Sequence, residues 1–546
     1  MILDVTISEK SFGPKSLMQN IKFSIDDSEK VGVVGRNGIG KSTLFGIVAG
    51  TDTDYSGEVI FRKGVSIVST AQEHDNDSDE TVLQYILGGL PEYTGLSKII
   101  ETYPALMGDD MRMIDEYTTA LQRFDDKGFY QIESDIEREL EQFQLSGVAH
   151  RPFATLSGGQ KRLAEVIKVM HADAHLALVD EPTNHMDYVA KAQFVEWMKQ
   201  ASEAMLVITH DRDVLREVDR IIELKDGGCQ SFKGNYDAYL KQNAVHTGSA
   251  MNEFEMIEKR IVNLKVKVID YQRLKEKARN PGTIQKFKRL EQESRKELAE
   301  LEAKEKPTFW IDKNSVENLN YKVANQYGKF KARNIKMNIT GDDSRSKHVL
   351  VSSSKLSLGY GDTPLFEGVS IDLREGEAVE LRGRNGAGKT TVIKALLGSK
   401  EAKVFSGTLT LDTHVRIGVY EQEVSKHYFD LTLGEAIERM YLDRNLSISN
   451  TKVRQLLSDY LFTEGDAMVP IHRLSGGQKA RFQLITMLAN DPQLLILDEP
   501  TNHLDLPSIE ELETALEKYG GAILYVSHDG YFRDVIGGDV VQVGAS

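Results

Sequence analysis

Apolar, β-branched runs recur along the chain without the alternation of a half-buried strand: KVGVVG from Lys30, HLALVD from His175, AMLVITH from Ala204, LLILD from Leu494 and AILYVSH from Ala522. Continuous runs of this kind mark parallel strands covered on both faces. Helical patterns alternate with them, so the expected class is α/β. The middle of the chain reads differently. Phe254, Ile257, Ile261, Leu264, Val268 and Tyr271 step by threes and fours, one stripe of a long helix. RNPGT from Arg279 interrupts it, and Ile284, Phe287, Leu298 and Leu301 pace a second helix. Two long helices around a Pro-Gly turn predict an antiparallel hairpin.

The chain also repeats itself. VGVVGRNGIGKST from Val31 is echoed by VELRGRNGAGKTT from Val379, with Lys41 and Lys389 348 residues apart. LSGGQ occurs at Leu156 and again at Leu474; Ser157 and Ser475, Asp180 and Asp498, and His210 and His528 are all 318 apart. The first copy therefore holds about 32 extra residues between Gln72 and Ser157, and from the Ser-Gly-Gly-Gln stretch to the histidine neither copy gains or loses one. Two copies of one domain are expected, at 1–241 and 348–546, joined by a helical linker at 242–347.

Both copies carry G-x-x-x-x-G-K-[ST] after an apolar strand and before a helix, the context in which that sequence forms a phosphate-binding loop, or P-loop. Its backbone N–H groups and the helix N-terminus favour phosphate oxygens. The candidate contacts are Gly35, Asn37, Gly38, Gly40, Lys41, Ser42 and Thr43, and in the second copy Gly383, Asn385, Gly386, Gly388, Lys389, Thr390 and Thr391. The two lysines suit the β- and γ-phosphates of ATP, and the hydroxyls of Ser42 and Thr390 suit Mg²⁺. Asp180 and Asp498 end apolar strands, where α/β sheets place ligand chemistry, and suit the same Mg²⁺. Glu181 and Glu499 follow them and suit a general base for water. His210 and His528 end further strands and read as γ-phosphate sensors.

Composition narrows the class. Hydrophobic residues make up 40% and charged residues 27% of 546, ordinary for a soluble chain of several domains. The single Cys229 leaves no internal disulfide and no multi-cysteine zinc site. The first residues, MILDVTISEKSFG, have neither the basic start nor the apolar core of a signal peptide, and no run of about 18 apolar residues suggests a membrane span. A cytoplasmic protein is expected. Net charge is −16, which argues against bulk nucleic-acid binding. The charge is uneven, however: between Lys259 and Arg289 there are 11 Lys or Arg against two acids. Coiled coils usually interleave both signs, so this excess points to RNA phosphates. Lys275, Lys277, Arg279, Lys286, Lys288 and Arg289 are the candidate contacts at the hairpin tip.

These motifs, in this order and in both halves, resemble the ATP-binding cassette family. The resemblance implies two P-loop NTPase cassettes in which the LSGGQ signature of one closes over ATP held by the other. Ser475, Gly477 and Gln478 would cap nucleotide on Lys41, and Ser157, Gly159 and Gln160 nucleotide on Lys389. It further implies Gln72 and Gln422 as Mg²⁺ and water contacts, Phe12 and Tyr360 as adenine-stacking rings, and Asp187 and Asp505 in loops that cross between cassettes. Phe12 and Met186 depart mildly from the family's usual tyrosine and leucine, with no loss of chemistry.

Two fused cassettes with a charged helical linker and no span are similar to the ABC-F subfamily of ribosome-associated translation and ribosome-protection factors. EPTNHMD, EPTNHLD and GNYDAYL strengthen the match. The implied partners are peptidyl-site tRNA and nearby ribosomal RNA for the hairpin, with action near the exit tRNA site and cassette pairing inside a monomer. The insertion, about 92–127, corresponds to the subfamily's arm; its eight acids and four bases fit a basic ribosomal protein better than RNA. Phe309 and Trp310, in a longer return segment than is usual, are expected to pin the hairpin's return helix to a cassette. Alternatives within and beyond the subfamily are an antibiotic-resistance ribosome-protection ATPase, an ATP-switched scaffold or kinase regulator without rRNA contact, a DNA-associated ATPase and a permease subunit. The DNA reading is disfavoured because the chain stops soon after the second cassette, and the short RNPGT tip leans toward a housekeeping role.

Overall fold

The apolar runs become the centres of two parallel sheets. In a computed structural model of the chain, residues 1–13, 15–70, 79–106, 108–184, 186–304, 310, 327, 329–337, 348–399, 401–421 and 424–544 are described. The first sheet has six strands in the order Ile67–Ser69, Leu176–Asp180, Ala204–Ile208, Lys30–Gly35, Arg220–Lys225 and Gly228–Lys233. All neighbours are parallel except the last pair. The second sheet has five parallel strands, Ile417–Tyr420, Leu494–Asp498, Ala522–Val526, Ala378–Arg382 and Asp539–Gln542. Every residue of Leu176–Asp180, Ala204–Ile208, Leu494–Asp498 and Ala522–Val526 is buried, as strands covered on both faces require. Beside each parallel sheet lies a three-stranded antiparallel one, centred on Leu3–Phe12 in the first half and Val349–Tyr360 in the second. Apolar residues of the two sheets share one core in each half, and a second core lies under the signature helices.

The chain divides into two compact bodies. One joins Met1–Tyr236 with Ile335–Ser546 and holds both cassettes; the other is Asp237–Asn334. These bounds differ from 241/242 and 347/348. Tyr236 already opens the long helix Tyr236–Lys277, while Ile335 is buried in the second cassette's core and Lys336 N–H donates to the Asp459 carbonyl at 2.8 Å. In the insertion, helices Tyr93–Leu106 and Met111–Asp126 pack as a pair.

The smaller body is a helical hairpin. Helix Pro281–Glu302 follows the turn, with Pro281 in its first turn and Asn280 capping Gly282 N–H. Leu264 and Val268 are buried, and Ile257, Ile261 and Tyr271 are half-buried. On the return helix the buried positions are Glu291 and Ser294. They continue the spacing of Ile284, Phe287, Leu298 and Leu301 through polar residues that an apolar count passes over. Glu291 is stabilised there by Lys275 at 2.6 Å and Arg295 at 3.1 Å. Arg260–Glu297 and Lys265–Glu302, both 2.8 Å, link the helices farther down. Phe309 lies outside the described residues. Within this body the Trp310 carbonyl accepts from Asn243 of the first helix at 3.0 Å, and Tyr327 and Phe330 pack with Ala244 and Met251.

Candidate active site

Each parallel sheet delivers its chemistry to the carboxyl ends of its strands. Lys41 opens helix Lys41–Val48 after strand Lys30–Gly35, and Lys389 opens Lys389–Leu396 after Ala378–Arg382. The residues before them, Gly40 at φ 106° and Gly388 at φ 99°, must be glycine: a Cβ would come 2.7 Å from Met18 Cε in one case and 2.8 Å from the Phe366 ring in the other. Both lysines are buried. Lys41 Nζ donates to the Gly35 carbonyl at 2.7 Å and lies 3.0 Å from His210 Nε2; Lys389 Nζ donates to the Gly383 carbonyl at 2.8 Å. Burial pushes both lysine pKa values down.

Ser42 Oγ and Asp180 Oδ2 stand 3.3 Å apart, and Thr390 Oγ1 and Asp498 Oδ2 2.8 Å. A hydroxyl beside a carboxylate fits Mg²⁺, which keeps waters and takes phosphate oxygens rather than a cage of protein ligands. Glu181 and Glu499 follow, both in left-handed backbone, φ 46° and 51°, a conformation that is costly away from functional sites. Burial pushes Glu499 up to about 7 and Glu181 also upward, against the pull of Lys41. Backbone N–H groups of His210 and His528 donate to Glu181 Oε2 at 3.4 Å and Glu499 Oε2 at 3.1 Å. Glu499 Oε1 is buried, lies 3.3 Å from His528 Nε2 and accepts no hydrogen bond among the described residues. Burial holds both histidines near 3, so they are neutral at physiological pH.

The P-loops do not face empty space; each meets the other cassette. Asn37 N–H donates to Asp505 Oδ2 at 3.0 Å, and Asn37 Nδ2 to the His503 carbonyl at 2.8 Å. On the other side Asn385 N–H and Arg384 Nε both donate to Asp187 Oδ2 at 3.2 Å. Asp187 and Asp505 also cap their own helices, Tyr188–Gln200 and Leu506–Glu517. Burial works against the charge of Asp187, but N–H donors from Ala190 and Asn385 and the Arg384 guanidinium hold its pKa low.

The signature stretches start helices Gly158–His171 and Gly476–Leu488. Ser475 Oγ accepts from Gln478 N–H at 3.3 Å, while Gln478 Oε1 accepts from Ser475 N–H at 3.0 Å. Ser157 and Gln160 do the same at 3.3 and 3.1 Å. S-x-x-Q is thus a capping box: serine and glutamine shape the helix end, and the glycines between them leave its N–H groups open. A Cβ on Gly477 would fall 2.3 Å from Asn37 Nδ2, so this helix end reaches the opposite P-loop.

Two cavities result, both lined from both cassettes. One, of about 530 Å³, joins Lys389, Thr390, Thr391, Asn385, Gly386, Gly388, Tyr360, Asp498, Glu499 and His528 with Ser157, Gly159 and Gln160. The other, of about 270 Å³, joins Asn37, Gly38, Glu181 and His210 with Ser475 and Gly477, and also touches Glu499 and His528. Lys41, Gly40, Ser42, Thr43 and Phe12 line an adjoining cavity of about 360 Å³. Gln72 and Gln422 lie outside the described residues, Gln478 Nε2 is engaged by Asp466 at 2.9 Å, and Gly35 and Gly383 serve as carbonyl acceptors behind the loops.

Comparison with known proteins settles what this arrangement belongs to. Residues 18–184 and 366–502 each match the family described as ABC transporter. The chain belongs to the ATP-binding cassette family. It is 32% identical over 557 residues to the putative ATP-binding protein YdiF of Bacillus subtilis, covering all of this chain and 80% of that one. It is 26% identical over 535 residues to the ribosome protection protein VmlR of the same species, covering 97% and 85%. In fold it matches the archaeal ribosome recycling factor aABCE1, solved in complex with the ribosomal stalk protein aP1: TM-score 0.58, 17% identity, 98% of this chain and 89% of that one. Its homologues place it in the ABC-F branch, and it is an ATPase. No described helix is long and apolar enough to cross a membrane.

The cassette protein's hairpin tip sorts the basic candidates. Lys275 is paired with Glu291 and Arg289 with Glu293 at 2.8 Å. Lys277, Arg279, Lys286 and Lys288 are exposed. Three seam residues went unnoticed in the sequence. Lys191 binds Asp211 at 2.8 Å and Asp213 at 2.6 Å, and Arg212 forms a bidentate pair with Glu513 of the opposite cassette. The signal for the pair is departure from exact duplication: HDR against HDG at Arg212, and Val195 where the second copy has Glu513.

Proposed function

We propose that this ATPase binds two ATP molecules between its cassettes, each gripped by the P-loop of one and capped by the signature helix of the other. The observation that carries the reading is the approach of Gly477 to Asn37, too close for a Cβ. Phe12 and Tyr360 stack the adenines. Ser42 with Asp180, and Thr390 with Asp498, would hold Mg²⁺, which neutralises phosphate charge when bound; Gln72 and Gln422 would complete the set. Glu181 and Glu499 take the proton of the attacking water, and the buried Oε1 of Glu499, beside His528 Nε2 and with no hydrogen bond of its own among the described residues, is an acceptor of the required kind. His210 and His528, neutral, read the γ-phosphate.

The target is the ribosome, near the peptidyl and exit tRNA sites, where ATP-driven closure regulates translation. The similarity to VmlR, named a ribosome protection protein, supports this, as does a hairpin tip whose Lys277, Arg279, Lys286 and Lys288 are exposed and form no ion pair among the described residues. Lys275 and Arg289 would have to leave Glu291 and Glu293 to reach phosphate. The acidic insertion fits a basic ribosomal protein. The setting is cytoplasmic, with one chain supplying both cassettes. The test is Glu181→Gln with Glu499→Gln: the double variant should hold ATP, hydrolyse little and co-sediment with ribosomes in ATP. A double variant that stays in the supernatant removes the ribosome from the reading; one that hydrolyses ATP normally removes the glutamates.

A further inference from the structure

The seam between the cassettes is not symmetric, and its asymmetry is written in side chains. Arg212 lies two residues after His210. Its Nη1 and Nη2 donate to Glu513 Oε1 at 2.7 Å and Oε2 at 3.3 Å, with both side chains about 95% buried. The Tyr531 ring covers the guanidinium at 4.1 Å. Glu513 sits on helix Leu506–Glu517, whose cap Asp505 holds Asn37 of the first P-loop. One helix of the second cassette therefore grips two parts of the Lys41 site, its P-loop and the loop bearing its histidine.

The same register in the other direction offers no such grip. The counterpart of Arg212 is Gly530, and that of Glu513 is Val195. Helix Tyr188–Gln200 holds the second P-loop through Asp187, but among the described residues its own hydrogen bond toward the His528 loop is from Lys191 Nζ, 3.5 Å from the His528 carbonyl and already committed to Asp211 and Asp213; the Tyr531 ring beyond His528 rests on Arg212. Breaking a buried bidentate pair exposes two charges to a site built to pair them, whereas loosening a long contact to a carbonyl exposes none.

We infer that the Arg212–Glu513 pair is a one-sided latch that positions His210 and keeps the Lys41 site closed longer, so that the two ATP sites of one chain turn over unequally. The inference rests on the composite sites proposed above. The Lys389 site opens first and carries most steady-state turnover; the Lys41 site retains its nucleotide. Arg212 and Glu513 are positioning residues, acting through the loop of His210 and not on ATP.

The test compares ATP turnover of Glu181→Gln and Glu499→Gln in the full chain, with and without the latch. With the latch intact, Glu499→Gln should cost at least about fivefold more turnover than Glu181→Gln, the lower end of ordinary coupling between sites. Glu513→Gln, which keeps shape and removes charge, should bring that ratio toward one. Arg212→Glu with Glu513→Arg should restore it. Val195→Glu with Gly530→Arg, which builds a second latch where a Cβ on Gly530 meets nothing closer than 3.5 Å, should also equalise the sites. A purely structural pair would lower stability and overall rate and leave the ratio untouched; that result overturns the latch. Equal losses from the two glutamine variants in the otherwise native chain overturn it as well, while the composite sites stand. If neither variant lowers turnover, the composite sites fall and the latch falls with them.

Discussion

The two proposed nucleotide sites are built from the same sentence of sequence and are not the same object. At the Lys389 site one cavity of about 530 Å³ runs from Tyr360 past the P-loop to the opposite signature, a size suited to a nucleotide. At the Lys41 site the space is divided, about 360 Å³ beside Phe12 and Lys41 and about 270 Å³ beside Glu181 and Ser475. Asn37 and Gly38 line both parts, and Asn37 is tied to His503 and Asp505. A duplicated fold thus fixes where the chemistry sits, while a few seam contacts decide how far each half-site has closed.

The strongest challenge to the comparison is Gly477→Ala. Its Cβ would stand 2.3 Å from Asn37 Nδ2 and 3.2 Å from the His503 carbonyl, so either the Asn37 side chain gives up its place or the signature helix withdraws from the P-loop. Hydrogen bonds to charged groups are worth about 1.5–3 kcal/mol, or about 10- to 10²-fold in affinity, so disturbing this cap should cost the Lys41 site its tight ATP binding and leave the Lys389 site unchanged. Titration of a fluorescent ATP analogue onto the double glutamine variant reads this directly, two sites becoming one. Loss of both sites, or of neither, would mean that the two do not close separately.

Next in size is the pH dependence of the apo protein. A carboxyl whose folded pKa is about 7, against about 4.3 unfolded, binds its proton more tightly in the native state. Its contribution to stability is therefore present below the unfolded value and lost as pH rises through 7, about 4 kcal/mol at most. Glu499→Gln should raise Tm by several degrees at pH 8 and leave it nearly unchanged at pH 4. Turnover should move the opposite way, rising through pH 7 as the base ionises. A Tm difference that does not grow with pH would show that Glu499 is already ionised in the native state.

How much of this was legible beforehand depends on the range of the interaction. Strands such as Leu176–Asp180 and Leu494–Asp498 announce themselves because burial on both faces demands an unbroken apolar run. The P-loops do so because only glycine tolerates the backbone before Lys41 and Lys389. The hairpin was readable from its stripe, though Glu291 and Ser294 hid part of it, since a polar side chain can occupy a buried position once its partners are in place. Ser-Gly-Gly-Gln stands out by its repetition, and its capping box, an i to i+3 relation, is equally legible in the sequence. The Arg212–Glu513 pair was not, because 301 residues separate its members and nothing local in either requires the other. Only the departures from exact duplication, Gly530 for Arg212 and Val195 for Glu513, carry a trace of it.

A gentler way to sharpen the contrast is Asn37→Ala. It removes the donor to the His503 carbonyl but leaves the backbone N–H that serves Asp505. One hydrogen bond of about 1 kcal/mol corresponds to about fivefold in affinity. The loss should fall on the Lys41 site alone, measured as the weaker of two dissociation constants; an equal change at both would show that His503 steadies the whole seam.

The smallest effect should come from the proposed adenine platforms, Phe12 and Tyr360, which differ by one oxygen. The Tyr360 hydroxyl lies 3.3 Å from Thr391 Oγ1, tethering the ring to the P-loop helix, whereas Phe12 has no such tether and lies under Lys10 Nζ at 4.9 Å. Both rings are largely exposed, 44% and 57%, so the hydroxyl competes with water and its net value is small, about 0.5 kcal/mol or about twofold in affinity. Tyr360→Phe should therefore weaken ATP at the Lys389 site about twofold, and Phe12→Tyr should leave the Lys41 site nearly unchanged, because no counterpart to that tether is gained unless Thr43 turns toward the ring. Ring loss is a different matter: Phe12→Ala and Tyr360→Ala each remove a stacking face of about 1–3 kcal/mol. If Tyr360→Phe matched Tyr360→Ala, the hydroxyl and not the ring would be holding the nucleotide, and the two platforms would differ in kind.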